Sequence, residues 1–204
     1  MKAVAINGSP RKGGNTEILL REVLKPLDEA GWETKLIQVK GLKLHGCIAC
    51  FKCWENKNMR CAVKNDDLND LLAEIYPAQA LIFGSPTYFS DVTAEMKALL
   101  DRCGMVSVAN GAALSGKIGA AVVAVRRGGA THVYDTINHM FLMNGVIIPG
   151  SSYWNIGYGL NPGDVSNDAE ALRNMNHLGR AVAWLGQAVA AYPGGYPVPP
   201  SPQE

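Results

Sequence analysis

The stretch Lys2-Ala3-Val4-Ala5-Ile6-Asn7-Gly8-Ser9-Pro10-Arg11-Lys12-Gly13-Gly14-Asn15-Thr16 decides the fold of this chain. Its first part, Lys2 to Ile6, is a short apolar run that reads as a buried strand. Beyond it, Thr16 to Ala30 carries Ile18, Leu19, Val23, Leu24 and Leu27 at helical spacing, and Gly31 ends the helix. A glycine-rich loop between strand and helix makes an anion site. Glycines let the backbone come close to a ligand, and the free N–H groups at the helix start attract negative charge. Ser9, Asn15 and Thr16 add side-chain donors, and Arg11 adds a forked cation suited to phosphate.

The loop departs from two familiar nucleotide loops. In a triphosphate loop, Gly8 and Gly13 would be followed by Lys-Ser/Thr, but Gly14-Asn15 stands there. In a dinucleotide loop a glycine would occupy position 10, which is proline. What remains is a loop for one terminal phosphate.

Working outward, apolar runs and amphipathic segments alternate. Thr34 to Val39 reads as a second strand, and a cysteine-rich loop spans Leu44 to Val63. Asn65-Asp66-Asp67 opens a short helix through Ile75, since aspartate caps free N–H groups and suits the helix dipole. Ala80 to Gly84 is a third strand, Thr93 to Cys103 a helix, and Gly119 to Val125 a fourth strand. His132 to Met143 is helical, Val146 to Ile148 is a short fifth strand, and Asp168 to Ala191 is the final helix. This pattern predicts an α/β domain over residues 1–192, a doubly wound five-stranded parallel sheet with helices on both faces. The Pro/Gly-rich tail 193–204 reads as a mobile end or an arm to a neighbouring subunit.

The net charge of +1 offers no reason to expect nucleic acid or an anionic membrane as partner. No apolar run approaches the roughly 20 residues that cross a bilayer, and the N-terminus lacks the features of a signal peptide. A cytoplasmic location follows as an expectation.

Ligands of such sheets gather beyond the C-terminal strand ends. The loop Gly84-Ser85-Pro86-Thr87-Tyr88-Phe89-Ser90-Asp91 follows the third strand, and its proline and aromatics can frame a flat ring. Arg126-Arg127-Gly128-Gly129 follows the fourth. Its paired glycines allow close approach, and either arginine can meet a phosphate or a negatively charged cofactor. Tyr153-Trp154-Asn155 is expected to follow the fifth strand, either as packing residues or bordering the site across a subunit interface.

Cys47, Cys50, Cys53 and Cys61 form C-x2-C-x2-C-x7-C. Three cysteines at successive two-residue gaps can wrap a compact iron–sulfur cube, as in the opening of the bacterial ferredoxin pattern. A zinc ribbon instead separates two C-x2-C pairs by a long loop. Free thiols or a thiol–disulfide pair are the other reading. Phe51 and Trp54 can shield a cluster from water. Cys103 sits in a helical pattern and reads as a buried small residue.

The segment N-G-S-P-R-K-G-G-N-T, residues 7–16, resembles the phosphate loop of NADPH-dependent FMN reductases and of iron–sulfur flavoproteins, both flavodoxin-like. The S-P-T-Y-F segment and its continuation V-T-A-E-M-K-A-L-L-D-R fit the same families, as does the cysteine motif after the second strand. The resemblance implies FMN, with its phosphate held by Ser9, Arg11, Asn15 and Thr16. The ring would lie along Pro86, Thr87, Tyr88, Phe89 and Asp91, under Arg126, Gly128 and Gly129. It further implies a [4Fe–4S] cluster on the four cysteines, a homodimer or homotetramer, and ferredoxin or NAD(P)H as redox partner. Two alternatives stand beside it. One is an NAD(P)H-dependent FMN reductase without a cluster, acting on a quinone, nitro compound, metal ion or flavin. The other is a zinc-stabilised flavodoxin-like binding module.

Overall fold

Five short apolar segments pair into one sheet: β1 (Lys2–Asn7), β2 (Glu33–Gln38), β3 (Ala80–Pro86), β4 (Ile118–Val125) and β5 (Ile156–Tyr158). Their order is β2-β1-β3-β4-β5, and every pair is parallel. The structure, a computed structural model, describes residues 1–197 and 200. Helices α1 (Asn15–Glu29), α2 (Lys52–Asn56), α3 (Leu68–Ile75), α4 (Ala94–Ala109), α5 (Ala130–Met143) and α6 (Ala169–Ala191) fill the connections, with a 3-10 turn at Asp164–Asn167. Among the described residues, no helix is long and apolar enough to cross a membrane.

The two-residue alternation of a strand assigns each helix layer its partners. Ala3 and Ala5 face α1 and α6 in a cluster with Leu19, Leu20, Ile82, Met175 and Leu178. Val4 and Ile6 face α3, α4 and α5 in a cluster with Leu72, Phe83, Leu99, Ile137 and Phe141. The sheet is therefore doubly wound, as the alternation of elements predicts.

Helices α1 and α6 approach closely because Gly179 has no side chain. A Cβ there would lie 2.2 Å from the Val23 carbonyl oxygen and 2.4 Å from Pro26 Cγ. A backbone carbonyl cannot swing aside, so Gly179→Ala forces the helices apart. The expected cost is about 3 kcal/mol, which lowers the melting temperature by roughly 6–12 °C. Gly150, where a Cβ would meet nothing within 4 Å, is the matched control. Equal melting temperatures for the two alanine variants in a thermal denaturation scan would refute this packing.

One strand lies elsewhere than the periodicity predicts. Val146 to Ile148 makes only an isolated bridge, Ile147 to Ile118. The strand that completes the sheet is Ile156–Tyr158, paired with Val123–Val125. Pro149 has no N–H to give the ladder, so the chain leaves β4 there and returns for its second half. Tyr153-Trp154-Asn155 consequently precedes β5 rather than following it. The short helix α2 inside the cysteine loop has no sequence signal, and α4 runs on past Cys103 to Ala109. Much of the expected tail, Val198, Pro199 and residues 201–204, lies outside the described residues. Within the described part, Tyr196 packs on Gly116.

Candidate functional site

The loop after β1 is tied to its neighbours by its own backbone. The Gly8 N–H donates to the Gly84 carbonyl (2.8 Å), and the Ser9 N–H to Asn7 Oδ1 (3.0 Å). Gln38 on β2 donates to the Ser9 carbonyl and accepts from Asn7 Nδ2. Ser9 Oγ accepts the Arg11 N–H (3.1 Å), which leaves its own proton to offer. The residue that precedes helix α1, Gly14, has no side chain to cap it, so the first-turn N–H groups lack a side-chain acceptor there.

Two residues without an obvious sequence signal shape this loop. Glu17 accepts the Gly13 N–H (2.7 Å) and pairs with Arg21. That N–H bond, against the cost of burial and with help from Arg21, holds the Glu17 carboxyl below its ordinary range. Thr93 caps α4 and donates its hydroxyl proton to the Gly8 carbonyl (2.8 Å), joining the loops after β1 and β3.

Ser9, Arg11, Asn15 and Thr16 line one cavity of about 170 Å³ together with Pro86, Thr87, Tyr88 and Arg126. Gly159, Leu160 and Pro162 form its third wall. Sequence reasoning overlooked that wall, although the Gly/Pro punctuation of residues 157–163 marks a loop. Asn15 also pins this wall: Nδ2 donates to the Asn161 carbonyl (3.0 Å), and Oδ1 accepts from the N–H groups of Gly163 (2.9 Å) and Val165 (3.3 Å). Thr87 Oγ1, on the wall of this cavity, is buried without a hydrogen-bond partner among the described residues. An orphaned hydroxyl there can bond the polar edge of a ligand.

The loop after β3 is tight. Tyr88 and Asp91 exchange both backbone hydrogen bonds (2.8 and 3.0 Å), with Phe89 and Ser90 at φ +48° and +65° between them. Left-handed backbone is costly for a phenylalanine, and its ring is fully exposed at the tip. Gly129, at φ +86°, packs on Ser90 so closely that a Cβ would lie 2.6 Å from Ser90 Oγ. The loops after β3 and β4 thus touch. Gly128 and Gly129 line an adjoining cavity of about 370 Å³ with Tyr153, Trp154 and Tyr158. Asp91 lies apart: it accepts from Thr136 (2.8 Å), stands 3.7 Å from His132 on α5, and lines the groove between α4 and α5.

The cysteine loop forms a second centre. Cys47, Cys50, Cys53 and Cys61 all border one small cavity, with Ile48, Phe51, Val63, Met105 and Val106 around them. Cys47 and Cys50 are exposed, Cys53 is buried and Cys61 is half-buried. Ala49 (φ +50°) and Phe51 (φ +53°) are left-handed and the right-handed helix α2 begins at Lys52, so backbone handedness alternates at Phe51–Lys52. Such alternation forms an anion-binding nest, a feature of many phosphate and iron–sulfur sites. Among the described residues, no three His, Cys, Asp or Glu side chains converge tightly enough to hold a single metal ion. Burial raises the Cys53 thiol, and pushes the fully enclosed Cys103 thiol up to about 12. Cys103 is a core residue, as its helical position predicts.

The sequence profile of the NADPH-dependent FMN reductase family matches residues 1–161. The chain is 37% identical over 190 residues to an iron-sulfur flavoprotein of Methanocaldococcus jannaschii, covering 90% of this chain and 96% of that one. Among solved structures it is similar to RosB with bound 8-demethyl-8-formylriboflavin-5'-phosphate, at a TM-score of 0.75 and 18% identity, covering 95% of this chain and 82% of that one. It is also similar to an archaeal flavodoxin, at a TM-score of 0.60 and 18% identity, covering 92% and 99%. These structural likenesses establish the flavodoxin-like fold. With the profile spanning most of its length, the chain belongs to the NADPH-dependent FMN reductase family and is an FMN-dependent oxidoreductase.

Proposed function

We propose that this chain is an iron–sulfur flavoprotein, which holds FMN in the cavity beside α1 and a [4Fe–4S] cluster on Cys47, Cys50, Cys53 and Cys61. One observation carries the reading: four cysteines spread over fifteen residues border a single, largely apolar cavity. A zinc site needs four ligands converging on one ion. A four-iron cube takes one thiolate at each corner, so its ligands ring a cavity instead.

Ser9, Thr16, Arg11 and the first turn of α1 are the donors for the FMN phosphate, while Asn15 fixes the wall opposite. Pro86, Thr87 and Tyr88 line the ring, the Thr87 hydroxyl being free to bond its polar edge, while Phe89 at the exposed tip of the same loop covers the cavity mouth only once FMN is bound. Gly128 and Gly129 let the backbone close over it, and Arg126 answers its negative charge. Asp91 acts at a distance, bracing the turn against α5. When bound, FMN exchanges two electrons and releases them singly, while a [4Fe–4S] cluster carries one at a time. The chain would then connect two-electron and one-electron partners, with ferredoxin or NAD(P)H on one side and a small-molecule acceptor on the other. β2 is an edge strand, so the cysteine loop after it is open to a neighbouring subunit. This supports a homodimer or homotetramer that brings one subunit's cluster towards another's flavin. A cytoplasmic location suits exposed thiols such as Cys47 and Cys50.

Purification without oxygen, followed by assays of iron, acid-labile sulfide, zinc and flavin, tests the proposal. The expected content is about four irons and four sulfides with one FMN per chain. Flavin bands with neither iron nor sulfide would overturn it in favour of the simple reductase.

A further inference from the structure

Arg102, on α4, reaches across to the cysteine loop although it is 41 positions from Cys61. Its Nη2 donates to Cys61 Sγ at 3.2 Å, and its Nη1 to the His45 carbonyl at 3.0 Å. It therefore grips the loop on both sides of the cysteine set. The guanidinium is paired with Asp66, and both side chains are almost wholly buried. Its Nε is enclosed with no hydrogen-bond partner among the described residues. A buried ion pair is a poor stabiliser, because desolvation offsets its attraction and an apolar pair of the same volume often does as well. Cys61 is also held by Asn69, which accepts its N–H (2.8 Å) and donates to its carbonyl (3.0 Å).

We propose that Arg102 is a positioning residue for the cysteine site: it fixes Cys61 as the fourth ligand through its N–H···S bond and raises the reduction potential of the cluster. This rests on the cluster reading above. One-electron reduction adds a negative charge to the cluster and makes or breaks no bond. A cationic N–H donor at a ligand sulfur stabilises the reduced form more than the oxidised one. The same contact accounts for the long gap before Cys61: the ligand is located from α4 and α3, so sequence spacing need not locate it.

The test compares the anaerobic holoprotein with Arg102→Gln/Asp66→Asn, which removes both charges and leaves neither one unpaired. The cluster midpoint potential is read by dithionite titration with paramagnetic resonance, and iron loss is followed with a chelator. The FMN potential serves as the internal reference. A cluster midpoint displaced to more negative values, an unmoved FMN midpoint and iron release about tenfold faster or more are expected, on the scale of outer ligand partners at metal sites. If the double variant yields no folded protein, Arg102→Lys keeps the charge and loses the fork, and the same direction is expected at smaller size. A variant with an unshifted cluster midpoint and unchanged iron release assigns Arg102 to structure alone and overturns the proposal. Iron and sulfide missing from the unsubstituted protein would instead overturn the cluster reading itself.

Discussion

Cys50→Ser is expected to abolish iron and sulfide binding while one FMN per chain remains. Cys50 is exposed, and it lies between two left-handed residues, Ala49 and Phe51. Serine replaces the sulfur with little change in volume, so the core is untouched, but a neutral hydroxyl is a poor substitute for thiolate on iron. The cavity beside α1, the proposed FMN site, shares no lining residue with the cysteine cavity, so flavin binding should survive. The visible spectrum of the variant should therefore be that of a simple flavoprotein. Cys103→Ser gives the contrast. That side chain is fully enclosed in the core, so serine there costs about 1–3 kcal/mol of stability through a buried hydroxyl and leaves iron in place. Unchanged iron in Cys50→Ser would show that the ligands have been misassigned.

The second large effect concerns the phosphate. Ser9→Ala combined with Thr16→Val removes two buried hydroxyls from the cavity wall and leaves its shape nearly intact. A hydrogen bond to a charged group is worth about 1.5–3 kcal/mol, so two of them amount to roughly 3–6 kcal/mol. Groups that share one phosphate do not add fully, and the expected loss of FMN affinity is about two to three orders of magnitude. Quenching of flavin fluorescence measures it. Riboflavin, which lacks the phosphate, should bind both proteins alike. An equal loss for riboflavin would mean that the hydroxyls support the ring or the fold and not the phosphate.

The parts of the site that were legible early are contiguous. Residues 8–16 join one strand to one helix, and a phosphate loop needs little beyond a tight turn and a helix start, both local properties. The cysteine spacing is local in the same sense. What escaped notice depends on distant partners. Ile156–Tyr158, which supplies the fifth strand where Val146 to Ile148 was expected to, is too short to show a period, and Pro149 parts it from the isolated bridge at Ile147. Asp91 belongs to a contiguous motif, but its carboxylate turns to Thr136 because α5 packs beside that turn.

By itself, then, the amino-acid sequence determined the doubly wound sheet, the loop of Gly8–Thr16 and the identity of the four cysteines. Hydrophobic period, turn residues and ligand chemistry are all written over a few neighbouring positions. Tertiary structure alone decided that the four thiols border one cavity and that Gly159, Leu160 and Pro162 form the third wall of the cavity beside α1. It also decided that Asn15 pins that wall and that Arg102 reaches Cys61. Each is a contact between segments far apart in the chain, and no local pattern records such a contact. It forms only when packing on the two faces of the sheet brings those segments together.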